Sequence, residues 1–196
     1  MVIIGLTGSI GMGKSTTAAM FRDEGVPVHD SDATVRRLYT GPGVEEIARH
    51  FPDAISNGSV DRPKLASIVL PSPEKMRLLE SIIHPLVDNS RRDFVTRCVA
   101  AGYRFCVVDI PLLFEIGGEN LADVIVVVSA ADAVQEARVL ARPGMTKEKF
   151  LAIRAKQIPN AEKRSRAHWV IDTGGGIESA RQQVRASLRA LAQAEK

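Results

Sequence analysis

Val2-Ile3-Ile4-Gly5-Leu6-Thr7-Gly8-Ser9-Ile10-Gly11-Met12-Gly13-Lys14-Ser15-Thr16 reads as three things in succession: an apolar strand, a glycine-rich turn and the start of a helix. Val2 to Thr7 is a short apolar run and predicts a buried strand. Gly8-x4-Gly13-Lys14-Ser15 satisfies the phosphate-loop signature in full. Glycines let the backbone take angles closed to other residues and bring N–H groups close to an anion. The helix that follows offers its free N–H groups and its dipole to phosphate. Gly8, Gly11, Met12, Gly13, Lys14, Ser15 and Thr16 are therefore the expected nucleotide-binding residues. Lys14 would reach the β and γ phosphates, and Ser15 would offer its hydroxyl to Mg²⁺. A chance glycine-rich turn would lack the strand before and the helix after. A dinucleotide turn would have no task for a Lys-Ser pair.

Outward from this stretch, the helix should run from Lys14 to Glu24 and end at Gly25. Val26 to His29 predicts a second strand, closed by Asp30-Ser31-Asp32, and Ala33 to Tyr39 a helix. Thr40-Gly41-Pro42-Gly43 is a break. From Val44 to about Gly102 the spacing is helical, with no convincing strand. Ser72-Pro73-Glu74 starts one of these helices, and Pro85 predicts a kink or break near His84. Strands return at Arg104 to Ile110 and Asp123 to Ser129, as apolar runs suited to strands covered on both faces. Helices are expected over 131–141 and 146–158. A last strand, His168 to Asp172, leads to a helix with Ile177, Ala180, Val184, Leu188 and Leu191 on one side. Strands alternating with helices at both ends, around a helical block, predict a doubly wound α/β core with an all-helical insertion.

The 196 residues suffice for one sizeable core with a small helical addition. The net charge of +3 suits an anionic ligand but does not argue for nucleic acid. The five positive charges between Arg154 and Arg166 have no interleaved aromatics. Cys98 and Cys106 form no metal or redox spacing and read as reduced, buried thiols. There is no signal-peptide pattern and no apolar run long enough to span a membrane, so a cytoplasmic protein is expected.

Among phosphate-loop proteins, a GTPase needs Asn-Lys-x-Asp, which is absent. Asp172-Thr173-Gly174-Gly175 matches a switch pattern but follows every other strand and reads as a turn. A motor or transport ATPase usually pairs acids at a strand end, where Val107-Val108-Asp109-Ile110 has one. A kinase needs a carboxylate near the transferring phosphate. Asp30-Ser31-Asp32 lies at the strand edge where α/β sheets bind ligands. The stretch would serve as a helix N-cap, or Asp30 or Ser31 would cap the next helix while Asp32 faces the site. Arg138 and Arg142, four apart on a predicted helix, would share one face, of a lid or of a solvated basic surface, with Arg154 and Lys163 following. A regulatory nucleotide sensor is the reading from another class.

These pieces together resemble the dephospho-CoA kinase family. The likeness runs from Ile4 to about Gly176. It rests on Gly5 to Thr16, on Asp30-Ser31-Asp32, on Ile83-His84-Pro85-Leu86 and on Asp109-Ile110-Pro111-Leu112-Leu113-Phe114-Glu115. The lid matches through Gln135-x-x-Arg138-x-x-x-Arg142 and Arg154-x-x-Gln157-x5-Lys163. The resemblance implies a phosphate-loop core with a five-stranded parallel sheet over 1–40, 103–135 and 167–196. It implies a helical CoA-binding domain over 41–102 and a helical lid over 136–166. ATP with Mg²⁺ would be the donor and dephospho-CoA the acceptor. Lys14, Asp32, Arg138 and Arg142 would be catalytic; Thr7, Asp32, His84, Leu112 and Leu113 would contact substrate. Neither nucleic acid nor membrane is implied as a partner, and a monomer is expected with an oligomer left open. Two positions depart from the family: Ala167-His168-Trp169 stands where Ala-Asp is frequent, and Thr173 where Asn is frequent.

Overall fold

The computed structural model describes residues 1–194. In chain order the elements are β1 (Val2–Thr7), α1 (Lys14–Asp23), β2 (Val28–Asp30), α2 (Ser31–Leu38), α3 (Val44–His50), β3 (Ile55–Ser56), β4 (Ser59–Val60), α4 (Arg62–Val69), α5 (Pro73–Ala100), β5 (Phe105–Asp109), β6 (Val124–Ser129), α6 (Asp132–Leu140), α7 (Lys147–Ala155), α8 (Asn160–Ser165), β7 (Trp169–Asp172) and α9 (Ile177–Ala194). They divide into two units: Met1–His29 together with the chain from Cys98 onward, and Asp30–Arg97.

The first unit is built on a five-stranded parallel sheet in the order β2-β5-β1-β6-β7. The register sets Leu6 beside Asp109, Thr7 beside Val127 and Ser129 beside Asp172. Parallel strands gather their C-terminal ends at one edge. β1 lies between β5 and β6, where the strand order reverses, which is where such sheets bind ligands. Residues of alternating parity face opposite sides, and both sides are buried. Ile4, Leu6, Val107, Val126 and Val128 pack with Phe21 of α1 and Val184 of α9. Cys106, Val108, Ile125 and Val127 point the other way and are buried as well. Each such side chain contributes about 1.5–3 kcal/mol by leaving water, which seats α1 and α9 on the sheet. On α9 the expected stripe holds at Ala180, Val184, Leu188 and Leu191, but Ile177 at its first position is 60% exposed. The helix expected over 146–158 stops at Ala155. A second short helix, α8, opens after Pro159 because that ring suits a helix start and not an interior.

The second unit packs Ile47, Phe51, Ala54, Val60, Leu65, Val69, Leu79 and Ile83 into its own core. Two expectations fail here. First, the block is not purely helical. Ile55–Ser56 and Ser59–Val60 form a two-stranded antiparallel hairpin. Its turn is Asn57-Gly58, both at positive φ (50° and 73°), the conformation a tight hairpin turn demands. Second, of the kink or break expected near Pro85, the break is absent: α5 is helical from Pro73 to Ala100. The proline removes one backbone bond, to the carbonyl of Ser81, which sits on the exposed side where water serves it. Leu79 and Ile83 before it are buried and Val87 after it packs on the same core, and this outweighs the local cost.

Candidate active site

The glycines of the phosphate loop are required by space as well as by angle. A Cβ on Gly8 would stand 2.4 Å from Val128 Cγ2 and 2.8 Å from the Val128 carbonyl oxygen. Gly11 has φ +78°, and a Cβ there would meet Val139 Cγ2 at 2.5 Å. The Met12 side chain is core: fully buried, with its Sδ accepting from Ala130 N at 3.0 Å. What Met12 can offer a nucleotide is therefore main chain. Gly13 precedes α1 in a left-handed conformation, and no side chain caps the helix. The first-turn N–H groups have no intrahelical acceptors. An uncapped helix end inside a glycine cradle fits a phosphate group.

Lys14 is the first residue of α1, and its Nζ makes an ion pair with Asp109 at the end of β5. The side chains are 14% and 4% exposed. The β1–β5 register explains the meeting, since it puts Asp109 beside Leu6, two residues before the loop. Asp109 is thus the partner of Lys14. Ser15 and Thr16 are exposed on the first turn. Thr7 is buried and donates from Oγ1 to the Pro111 carbonyl at 3.2 Å, so its hydroxyl braces the next loop. Leu113, which the resemblance implies as a substrate contact, is fully buried beneath β1 and packed toward Gly5. Leu112 beside it is 43% exposed and free to meet a ligand.

Arg138 lies on α6 and makes a two-pronged contact with Thr173: Nη1 to Oγ1 at 2.8 Å and Nη2 to the carbonyl at 2.7 Å. Thr173 Oγ1 also lies 2.9 Å from the Met12 carbonyl. Arg142 is not on that helix as expected. α6 ends at Leu140, so the residue stands in the turn before Pro143-Gly144. Both arginines nevertheless line one cavity of about 250 Å³ with Gly11, Gly13, Thr16 and Thr173. The loop is also held from above. Ile10 N donates to Gln157 Oε1 at 3.1 Å, and Gln135 Nε2 donates to the Ile10 carbonyl at 2.7 Å. A larger cavity of about 1200 Å³ lies between this part of the loop and α7–α8, lined by Ser9, Ser129, Gln135, Arg154, Gln157 and Arg164 among others. Arg154 itself is exposed, 3.7 Å from Asp132. Lys163, expected beside the lid arginines, is fully buried. His168 is structural. It precedes β7 at the sheet edge opposite the loop, where its Nδ1 accepts from Ile125 N at 3.0 Å.

In the second unit, Asp30 caps α2 by accepting from Ala33 N at 2.8 Å. That leaves Asp32, in the first turn, exposed and not used as the cap. His84 is exposed midway along α5. Among the described residues, no three His, Cys, Asp or Glu side chains are grouped to hold a metal by themselves.

Comparison with known proteins places these features. The sequence profile described as dephospho-CoA kinase matches residues 2–179. A dephospho-CoA kinase of Mesorhizobium japonicum is 52% identical over 191 residues, covering 97% of each chain. The crystal structure of TT1252 from Thermus thermophilus superposes with a TM-score of 0.83 at 38% identity, over 97% of each chain. The dephospho-CoA kinase from Campylobacter jejuni shares the fold, with a TM-score of 0.69 at 21% identity over 96% of each chain.

Proposed function

The chain belongs to the dephospho-CoA kinase family, and on that premise we propose how its residues divide the work. The reaction is the ATP-dependent phosphorylation of dephospho-CoA, the last step of coenzyme A biosynthesis. The observation that carries the donor side is the uncapped start of α1 behind Gly8, Gly11 and Gly13, with Lys14 at its first position. The N–H groups of this loop hold the triphosphate, and Lys14 exchanges Asp109 for the β and γ phosphates. Ser15 is exposed, and its hydroxyl with phosphate oxygens and water is the hard-oxygen set that suits Mg²⁺. Mg²⁺ held at Ser15 would supply positive charge against the phosphates.

Asp32 is the general base. It is an exposed carboxylate two residues beyond the end of β2, with the capping task already taken by Asp30. It accepts the proton of the ribose 3′-hydroxyl as the oxygen bonds to the γ phosphorus. The bond from that phosphorus to the β–γ bridging oxygen breaks, and ADP leaves with the electron pair. Arg138 and Arg142 balance the charge that spreads over the transferring group. Leu112 and His84 are assigned to the acceptor. The chain from 41 to 102 is read as the CoA-binding part and 136–166 as the lid. Among the described residues no helix is long and apolar enough to cross a membrane. On the family's chemistry we read the enzyme as cytoplasmic, and as a monomer with an oligomer left open.

Asp32→Asn tests the base. It should bind ATP and dephospho-CoA as the parent does and lose about 10²–10⁴ in kcat, the range for a positioned base. Coupled ADP-release kinetics with isothermal titration of each ligand reads both quantities. Turnover within tenfold of the parent would remove Asp32 from the role.

A further inference from the structure

Lys163 has no part in the reaction above, yet it is a fully buried ammonium on α8. Its Nζ lies 2.7 Å from Oε1 of Glu115, in the loop after β5. The same Oε1 accepts from the backbone N–H of Ile158 at 3.0 Å. The other oxygen of Glu115 is buried without a hydrogen-bond partner among the described residues, and Lys163 Nζ meets Glu115 as an ion pair without hydrogen-bond geometry. Buried ion pairs seldom add net stability, because desolvating two charges offsets their attraction. An incompletely satisfied one is a still weaker stabiliser. A pair kept at that cost serves best by fixing a geometry.

The geometry it fixes is one residue away from the phosphate loop. Ile158, held by Glu115, is the neighbour of Gln157, whose Oε1 accepts the Ile10 N–H. Gln135 holds the carbonyl of the same Ile10. We propose that Glu115 and Lys163 are positioning residues for ATP. Lys163 holds the Glu115 carboxylate, Glu115 holds the backbone at Ile158, and this sets Gln157 on Ile10 and keeps the loop in its phosphate-binding shape. The inference rests on the loop being the ATP site.

The test uses the full chain in four variants: Lys163→Met, Glu115→Gln/Lys163→Met, Gln157→Leu, and Gln157→Leu/Lys163→Met. Steady-state kinetics with ATP and dephospho-CoA varied in turn, plus thermal melting, gives the readouts. Lys163→Met should lower kcat/KM for ATP by about 10- to 100-fold, the penalty of a small misplacement, with KM for dephospho-CoA within about twofold. The neutral pair Glu115→Gln/Lys163→Met keeps an acceptor for Ile158 N and buries no charge, so it should regain most of that loss. Gln157→Leu should reproduce the ATP-side loss without lowering the melting temperature. Combining it with Lys163→Met should add little, since both act through one contact. The inference fails if the neutral pair stays as poor as Lys163→Met, if the losses of Gln157→Leu and Lys163→Met multiply, or if the loss falls on dephospho-CoA. It also fails if Gln157→Leu has parental kinetics, a result that stands even should Lys163→Met not fold. Calorimetric titration of the parent with ATP separates the levels. No ATP binding by the parent overturns the donor-site reading itself, whereas binding by the parent leaves the variants to judge the positioning pair.

Discussion

Replacing Lys14 by Met keeps the unbranched stem and removes the ammonium, and two separable losses should follow. The first is stability. Asp109 Oδ1 pairs with Lys14 Nζ, and the two side chains are only 4% and 14% exposed. Taking the cation from so buried a carboxylate costs about 3–5 kcal/mol. The low end applies, because the partial exposure of Lys14 lets water approach. A chain of this size loses roughly 2–4 °C of melting temperature per kcal/mol, so Lys14→Met should melt about 6–12 °C below the parent. The second loss is catalytic. Without the charge on the β and γ phosphates, kcat should fall by about 10²–10³, as when one preorganised donor is removed from a developing negative charge. Lys14→Met/Asp109→Asn removes both charges, so melting should recover most of the loss while activity does not. Melting curves by circular dichroism and ADP-release kinetics on the three proteins decide it. A melting temperature of Lys14→Met within 2 °C of the parent would show that the pair holds no buried charge. Recovery of activity in the double variant would take Lys14 out of phosphate binding.

Gly11→Ala forces a side chain into a left-handed position, at about 1–2 kcal/mol. It also drives a Cβ to 2.5 Å from Val139 Cγ2 and 3.1 Å from the Gln135 carbonyl. Overpacking of that kind adds about 1–3 kcal/mol. Titration calorimetry should show ATP affinity down at least tenfold; parental affinity would mean that the loop relaxes freely. Burial pushes the Cys106 thiol from 9.0 up to about 12, with Cys98 beside it acting in the same direction. The thiol is thus protonated at pH 8.5 in the native chain and partly ionised in the unfolded one. Mass spectrometry should find Cys106 unmodified by iodoacetamide at that pH until denaturant is added. Because the folded value is the higher, this thiol's contribution to stability is whole below about pH 9 and is lost as pH rises toward 12. Alkylation of the native protein at pH 8.5 would contradict it.

What the sequence discloses depends on how local the cause is. The phosphate loop is legible because its chemistry is main-chain chemistry, set by glycines at fixed offsets. The strands are legible because two covered faces leave continuous apolar runs such as Val124–Ser129. Pro85 misleads for the opposite reason: a local preference is overridden by Leu79, Ile83 and Val87 packing into one core. The Ile55–Val60 hairpin carries its signal in Asn57-Gly58, but its two-residue strands are too short to show a period. Gln157 as a holder of Ile10 is beyond local reading, since its partner is 147 positions away. Lys163 misleads in a further way. A lysine in a basic segment looks solvated until Glu115, in another loop, is known to face it.

Thr173 shows how a departure from a family pattern can be understood through contacts. A hydroxyl has one proton to give, and two carbonyls face this one: Met12, in the middle of the phosphate loop, at 2.9 Å and Ser129 at 3.3 Å. The same oxygen accepts from Arg138. Its methyl and hydroxyl stand 3.3 Å from where a Cβ on Gly13 would be, which adds a tight contact to the strain that a φ of +90° puts on any other residue there. One short side chain thus ties the end of β7, Arg138 and the loop into a single network. An asparagine here would bring amide donors of longer reach. Thr173 spends its one donor within the protein, and its contacts hold Arg138 against the loop.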